Sequence, residues 1–493
     1  MSVDVGVAGA PQGVADDDAD GPSELGRPPV SRRRLLGGGT AAIAASLALS
    51  ACGTAPRRQL ATLRTPPVPP SEGVLREVVG ENSRLVIAGE EVDTGALRRF
   101  YARRGYEPVW ADRPGKADAL VEAVLNADSH GLDPATFHAD MLQQLDSFPP
   151  LHRDLLISHA GLSYADALAV GRVPVGNRRD SEALAADPID AAAVLDAAID
   201  SRDPVARLEA LAPSTPTYQA LREALRTFRQ GAMPRSVAAA RRKAIEVNLE
   251  RERWLPRPLP ADRVWVNVAD QNLVLYREHD PVFATRVVVG EDALRNQSPE
   301  FKATIEASFF NPPWVIPADI VTAEILPVLR RDPAYLERNN MFMRDNGEVE
   351  QRPGPDAGLG VIMFDMPNRF DVYLHDTPDK HIFRLDNRRI SHGCIRVQNP
   401  LEFASLLMDQ PMEVINERIA LGSTTRKSLA PPVPVFVTYQ TAFADAGGAI
   451  AFRPDFYQRD DAIWRKLHGL PPAPPPPVRA VRRPVPARSR RRT

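Results

Sequence analysis

Residues 373–400 of this 493-residue chain read YLHDTPDKHIFRLDNRRISHGCIRVQNP and hold Cys394, one of two cysteines present. Ser391, His392 and Gly393 stand immediately before it, Arg396 two residues after it, and His375 upstream. A thiol is a strong nucleophile only as thiolate, and a histidine or cation beside it brings its pKa into the useful range. These residues are the parts for cysteine-based acyl transfer, although the order alone does not say which histidine meets the sulfur. Gly393 allows a tight backbone approach that leaves the Cys394 sulfur and N–H facing one acyl group. Backbone N–H groups around Gly393 and Cys394, with the Tyr373 hydroxyl, are the candidate oxyanion hole. The bland alternative is a buried small apolar cysteine. His375, His381, His392 and Cys394 have no CxxC or HxxxH spacing, so no metal is expected, and the chemistry needs no cofactor.

The elements that must position these groups change character along the chain. Residues 74–258 read as an all-helical scaffold. A helix opens at Asp93-Thr94, another fills 116–129 up to Gly131, and 155–170 is a third. Two more start at proline behind a capping residue, at Asp203-Pro204 and Thr215-Pro216, and residues 237–253 form the last. His130, His138, His152 and His159 are scattered here and read as surface or capping groups. From Arg263 the period becomes two: 264–268, a turn at 270–272, 273–276, 283–289 and 303–310 read as strands. Phe370, Val372 and Leu374 alternate in a strand that ends at His375. The proline-rich insertion 311–360, with one helical piece near 320–330, is long enough to be a lid. Beyond the cysteine, 401–408 reads as a helix and 414–416, 435–439 and 450–452 as strands, with a hairpin turn at 445–448. The fold class is therefore α+β: a helical scaffold, then a mainly β, sandwich-like catalytic domain at 259–420, then strands and a helix at 421–468 packing on it.

His375, a 15-residue gap and then Ser-His-Gly-Cys-Ile-Arg at 391–396 resemble the signature of the L,D-transpeptidases, which cross-link bacterial peptidoglycan. The flanks NPPW at 311–314, PGP-x-x-x-LG at 353–360 and YLHDTP at 373–378 resemble the large, scaffold-bearing branch. The resemblance spans roughly residues 75–468. It implies Cys394 as nucleophile and His375 as general base. His392 is the rival base, but neighbours on an extended segment point to opposite faces, which leaves it to shape the pocket or hold the loop. Asp376 or a backbone carbonyl is implied to orient His375. Arg396 is implied to grip a substrate carboxylate or stabilise the thiolate. Ser391 belongs with the substrate-binding run, and Trp314 lines the lid side. The implied reaction joins peptidoglycan stem peptides, donor and acceptor, in a 3→3 cross-link, with release of D-alanine from a tetrapeptide stem. Carbapenems are implied to acylate Cys394. Alternatives are an L,D-carboxypeptidase, another cysteine peptidase on stem peptides, or a non-catalytic peptidoglycan-binding lipoprotein. The peptidoglycan-binding module common in that branch has no room here, because only the loop 230–236 separates the last scaffold helices.

The ends speak of export. Ser31-Arg32-Arg33-Arg34-Leu35-Leu36 is a twin-arginine pattern, followed by a small-residue apolar run to Ala51 that is too short to span a bilayer. Leu49-Ser50-Ala51-Cys52 resembles a lipobox, so residues 1–52 are expected to be a lipoprotein signal with Cys52 lipidated. Residues 53–73 are a proline-rich tether, and 469–493 a Pro/Arg-rich tail containing seven arginines. The expected location is the periplasm or cell envelope, on a membrane through Cys52. A formal net charge of −2 gives no reason to expect nucleic acid as a partner.

Overall fold

The computed structural model describes residues 72–80, 85–87, 90–228 and 234–473. The expected signal, Cys52, most of the tether and most of the tail lie outside them, as does part of the loop 230–236.

The amino-terminal region is mostly helical. Helix α1 (Thr94–Arg103) starts where the Asp93 carboxylate accepts the Gly95 and Ala96 N–H groups at 2.8 and 3.3 Å. Helices α2 (Pro114–Leu125) and α3 (Pro150–Val170) follow, α3 being buried on nearly every side. The proline starts hold: Asp203 accepts the Ala206 N–H and Thr215 the Tyr218 N–H, at 2.9 and 3.1 Å. One expectation fails, because Leu85–Ile87 pairs with Glu90–Val92 and the scaffold is not all helix. Another fails at His130 and His159, which are buried rather than at the surface. The His130 Nδ1 meets the Tyr218 hydroxyl at 2.9 Å, and burial pulls the ring of His159 down to about 4. Their burial comes from tertiary packing between helices, which single-helix periodicity does not reveal.

Helix α4 (Arg235–Arg253) joins the two halves. All nine residues from Ile245 to Arg253 are buried, although five of them are Glu or Arg. Each side has an answer for these charges. Arg253 pairs with Glu250 at 3.0 Å, Arg251 with Asp460 at 2.7 Å, and Asn248 exchanges hydrogen bonds with Thr441. Burial lifts the Glu252 carboxyl to about 7.

The carboxy-terminal half is one sheet of nine strands: β1 (Arg263–Asn267), β2 (Asn272–Arg277), β3 (Asp280–Gly290), β4 (Phe301–Phe310), β5 (Ile362–Asp365), β6 (Leu374–His375), β7 (Arg389–Ser391), β8 (Ile395–Val397) and β9 (Thr425–Thr438). The order is β7-β3-β8-β6-β5-β4-β9-β1-β2, and β2 also pairs with β3. That extra pairing closes the sheet on itself, so of the sandwich and the barrel-like sheet that alternating short strands allow, the barrel is found; the 11-residue β3 is long enough to bond on both edges. Strand β9 lies between β4 and β1, with a parallel register of Val435 to Val264. The sheet is incomplete without it, so a domain boundary at 420 falls too early. Alternate residues fill the core: Val264, Val266, Leu273, Leu275, Ile305, Phe364, Leu374, Ile395, Val435 and Val437 pack with Phe403 of the helix Pro400–Met408.

Three further corrections concern connections. Residues 414–416 are not a strand but part of the helix Met412–Ala420, whose Ile415 is buried. The insertion 311–360 carries more than one helical piece. It has a three-stranded sheet (Trp314–Ile316, Val349–Gln351, Met341–Met343) and its own small core of Ile316, Ile320, Ile325 and Val349. The hairpin Ala442–Ala444/Ile450–Phe452 packs on the scaffold helices through Tyr218, Leu221, Ile245 and Leu249, not on the catalytic sheet. The helix Asp460–Leu467 likewise meets α4, where Trp464 Nε1 donates to Glu246 at 2.9 Å. The chain's end thus clasps scaffold and barrel together.

Candidate active site

Parallel pairing of β6 with β8 sets Leu374 beside Ile395 and His375 beside Arg396. The Ile395 N–H donates to the Tyr373 carbonyl at 2.9 Å, which carries the register back to Cys394. Because side chains alternate along extended chain, Leu374, Ile395 and Val397 enter the core while Tyr373, His375, Cys394 and Arg396 share the other face. Met363 of β5 and Phe309 of β4 continue that face, where Leu359, Trp314 and Tyr373 pack on them. Trp314 therefore lies on the same side of the sheet as Tyr373 and Met363.

His375 is buried, and its Nδ1 meets the carbonyl of Asp376 at 2.6 Å. A carbonyl only accepts, so Nδ1 carries the proton and Nε2 keeps its lone pair. The Asp376 carboxylate has other work. Its Oδ2 accepts the Val361 N–H at 3.1 Å where the insertion 311–360 rejoins the barrel, and its Oδ1 pairs with Lys380. Gly360 at that junction has φ 64°, and a methyl there would collide with Asp376. Burial, then the Arg396 guanidinium, pulls His375 down to about 3 against the pull of the Asp376 and Leu359 carbonyls.

Cys394 is half-buried, and its Sγ donates to the Asp371 carbonyl at 3.7 Å. Burial pushes the thiol up from its ordinary 9.0, while the Tyr373 backbone and Arg396 favour the thiolate and Asp371 opposes it. Gly393 precedes it at φ 118°, a conformation that suits glycine alone. The Gly393 N–H is already given to Ser391 Oγ at 3.2 Å, and Ser391 Oγ donates to the Cys394 carbonyl at 2.6 Å. Ser391 is thus a brace for the loop. Of the candidate oxyanion donors, Gly393 N–H is engaged, whereas the Cys394 N–H and Tyr373 O–H have no hydrogen-bond partner among the described residues. Arg396 meets Asp379 at 3.7 Å, and its buried Nε is unpartnered. His392 is not in this group: it is exposed, and its Nε2 meets Glu324 of the insertion 311–360 at 2.6 Å. Glu324 sits in a π-helical turn, Val321–Ile325, a distortion of the helix frequent at functional sites.

Three positions escape the sequence reading. Asp371 is hidden by the apparent strand 370–374. That strand begins only at Leu374, because Asn368 folds 366–372 into a turn and Asp371 takes φ 53°. Ser298 lies far upstream, yet its Oγ donates to the Gly393 carbonyl at 2.7 Å and accepts the Gly290 N–H at 2.9 Å. Arg459 holds the Ser298 carbonyl at 2.9 Å from the far end of the chain. No local pattern marks either residue.

Residues 261–428 match the family described as the L,D-transpeptidase catalytic domain, and residues 95–225 match the Scaffold domain. A candidate L,D-transpeptidase of Haemophilus influenzae is 27% identical over 394 residues, covering 74% of this chain and 78% of the relative. Among solved structures, an L,D-transpeptidase from Mycobacterium smegmatis aligns at 11% identity and a TM-score of 0.20, covering 36% of this chain and 58% of that one. The ertapenem-acylated catalytic domain of an E. faecium L,D-transpeptidase aligns at 15% identity and a TM-score of 0.19, covering 36% and 98%. The chain therefore carries a Scaffold domain followed by an L,D-transpeptidase catalytic domain.

Proposed function

We propose that the chain is a peptidoglycan transpeptidase that forms 3→3 cross-links through a thioester on Cys394. The observation that carries this reading is the projection of Tyr373, His375, Cys394 and Arg396 from one face of adjacent parallel strands. In the first half-reaction, the thiol turns from the Asp371 carbonyl and gives its proton to His375 Nε2 as sulfur attacks the diaminopimelate carbonyl. The Cys394 N–H and Tyr373 hydroxyl, both free to donate, receive the developing oxyanion. The C–N bond to D-alanine breaks, and its amine leaves with the proton from His375. In the second half, the amine of a neighbouring stem attacks the thioester carbonyl, C–S breaks, and the thiol is restored. The unpartnered Arg396 Nε supports a role in gripping a substrate carboxylate. The reading includes export, with residues 31–52 as the candidate signal and the cell envelope as the location.

Intact mass of the full chain after exposure to a carbapenem tests it. One adduct is expected on the wild type and none on Cys394→Ala. A folded, reduced wild type that takes no adduct would sink the thioester reading. The same assay checks the charge states. With His375 neutral above about 3 and the thiol protonated past its ordinary 9.0, the reactive pair has one fixed proton count between those limits. The acylation rate should therefore stay within about twofold from roughly pH 5 to pH 8.5. An acid limb near pH 6–7 would mean that the histidine is not depressed.

A further inference from the structure

We infer that Asp371 is the acceptor-binding residue, holding the positively charged amine of the second substrate beside the thioester and so favouring amine over water. The inference rests on the cysteine thioester reading above. Its footing is geometric. The Asp371 carbonyl reaches the nucleophile at 3.7 Å, so the residue borders the reacting atom. It stands in left-handed backbone, φ 53°, on a turn that Asn368 ties down. The Asn368 amide donates to the Met366 and Val372 carbonyls at 2.7 and 2.8 Å and accepts from Phe370 and Val372 at 3.0 and 3.4 Å.

Pairing separates Asp371 from its acidic neighbours. Asp365 meets Arg426 at 3.3 Å, Asp379 meets Arg396 at 3.7 Å and Asp376 meets Lys380. Asp371 is exposed and has no ion-pair partner among the described residues. Because β6 and β8 run parallel, the two ends of the site differ in charge. Arg396 lies two residues beyond Cys394, and Asp371 two residues before Tyr373, the position next to Cys394 in register. The Arg396 guanidinium and Asp371 thus bear on the Cys394 thiol in opposite senses, and the Asp371 backbone borders the sulfur. At the reacting bond the two substrates differ in the same way: the donor's leaving group ends in the D-alanine carboxylate, and the acceptor brings an ammonium group.

A bare carboxylate at this point hinders the first half-reaction. It pushes up both the Cys394 thiol and the Tyr373 hydroxyl, though burial is the larger cause for each. Binding an ammonium in the second half gives that carboxylate a use. The step balances as follows. The acceptor ammonium gives one proton to solvent as the neutral amine forms. Its nitrogen then attacks the thioester carbonyl, C–N forms, and C–S breaks with the electron pair returning to Sγ. The second proton passes through His375 to the sulfur. Asp371 exchanges no proton; it raises the local concentration of the cation and aims it.

The test is the partition of one acyl-enzyme between two acceptors, a ratio that does not depend on how fast the acyl-enzyme forms. The full chain is given a defined tetrapeptide stem, and cross-linked dimer and hydrolysed tripeptide are counted by mass spectrometry. Asn is the chosen replacement because it tolerates left-handed backbone, so Asp371→Asn keeps the carbonyl where it is. The dimer-to-tripeptide ratio should fall about fivefold in Asp371→Asn. With hydroxylamine, a nucleophile that is uncharged at neutral pH, the variant's ratio of hydroxamate to tripeptide should move less than about twofold. Raising salt to about 0.5 M should lower the wild-type dimer ratio and leave that of the variant nearly still, a check that needs no comparison of folding. An unchanged dimer ratio, or an equal fall with hydroxylamine, overturns the inference. A wild type that forms the acyl-enzyme but yields only tripeptide overturns it while sparing the thioester reading. A wild type that forms no acyl-enzyme overturns both.

Discussion

Replacing His375 with asparagine should lower the rate of Cys394 acylation about 10³-fold, whereas His392→Asn should lower it less than about tenfold. The contrast follows from where the rings are held. His375 shares the face of Cys394, with Nδ1–H fixed on the Asp376 carbonyl and Nε2 left to accept a proton. An asparagine amide can still donate to that carbonyl, so the substitution removes the base without orphaning the backbone acceptor. His392 has its Nε2 committed to Glu324 of the insertion 311–360. Its loss frees one tie between that insertion and the barrel and takes no base from the sulfur. Time-resolved intact mass with a carbapenem reads both rates. Unfolding midpoints near wild type in both variants would place the difference in chemistry. The reverse order of effects would hand the base to His392 and leave His375 a buried structural group.

Much of this site was legible because its parts are close in sequence. The run 391–396 and the upstream His375 name the nucleophile and base candidates, and alternation alone assigns Cys394 and Arg396 to one face. What stayed hidden depends on pairing between distant segments. The parallel β6–β8 register, which brings Tyr373 and His375 alongside the cysteine, cannot be read from either strand. Strand β9 joins β4 and β1 across long stretches of chain, which is why the domain boundary at 420 came too early. Asp371 was lost inside an apparent strand because Asn368, through side-chain bonds, outcompetes strand pairing there. The sequence of helix α4 is rich in charge, yet Thr441 and Asp460 from one side and Val173 and Tyr218 from the other partner its buried end. The segment 414–416 looked β-like from Val414 and Ile415, but three residues give propensity little weight against a helix that buries Ile415.

Arg459→Met should destabilise the protein by roughly 3–5 kcal/mol, the usual result of leaving one buried charge without its partner. Arg459 is fully buried: Nη1 meets Glu300 at 3.1 Å, Nη2 donates to the Ser298 carbonyl at 2.9 Å, and its guanidinium lies 4.9 and 4.8 Å from the Tyr439 and Tyr457 ring centres. Methionine fills much of the space but leaves Glu300 to Arg251 alone, 3.6 Å away and itself bound to Asp460. The thermal midpoint should drop by on the order of 10 °C. Adding Glu300→Met should recover part of that loss, since no bare carboxylate then remains. If the single variant unfolds like wild type, the pair is not needed for the clasp. The effect should also reach the chemistry, because Ser298, which Arg459 holds by its carbonyl, supports the Gly393 carbonyl through its hydroxyl. Acylation measured well below the midpoint should therefore slow in Arg459→Met, with the thiol present but its loop less well held. Through this chain of contacts the segment around Arg459, scaffold helix α4 and the cysteine loop act on one another, and the thiol at residue 394 depends on an arginine 65 positions later.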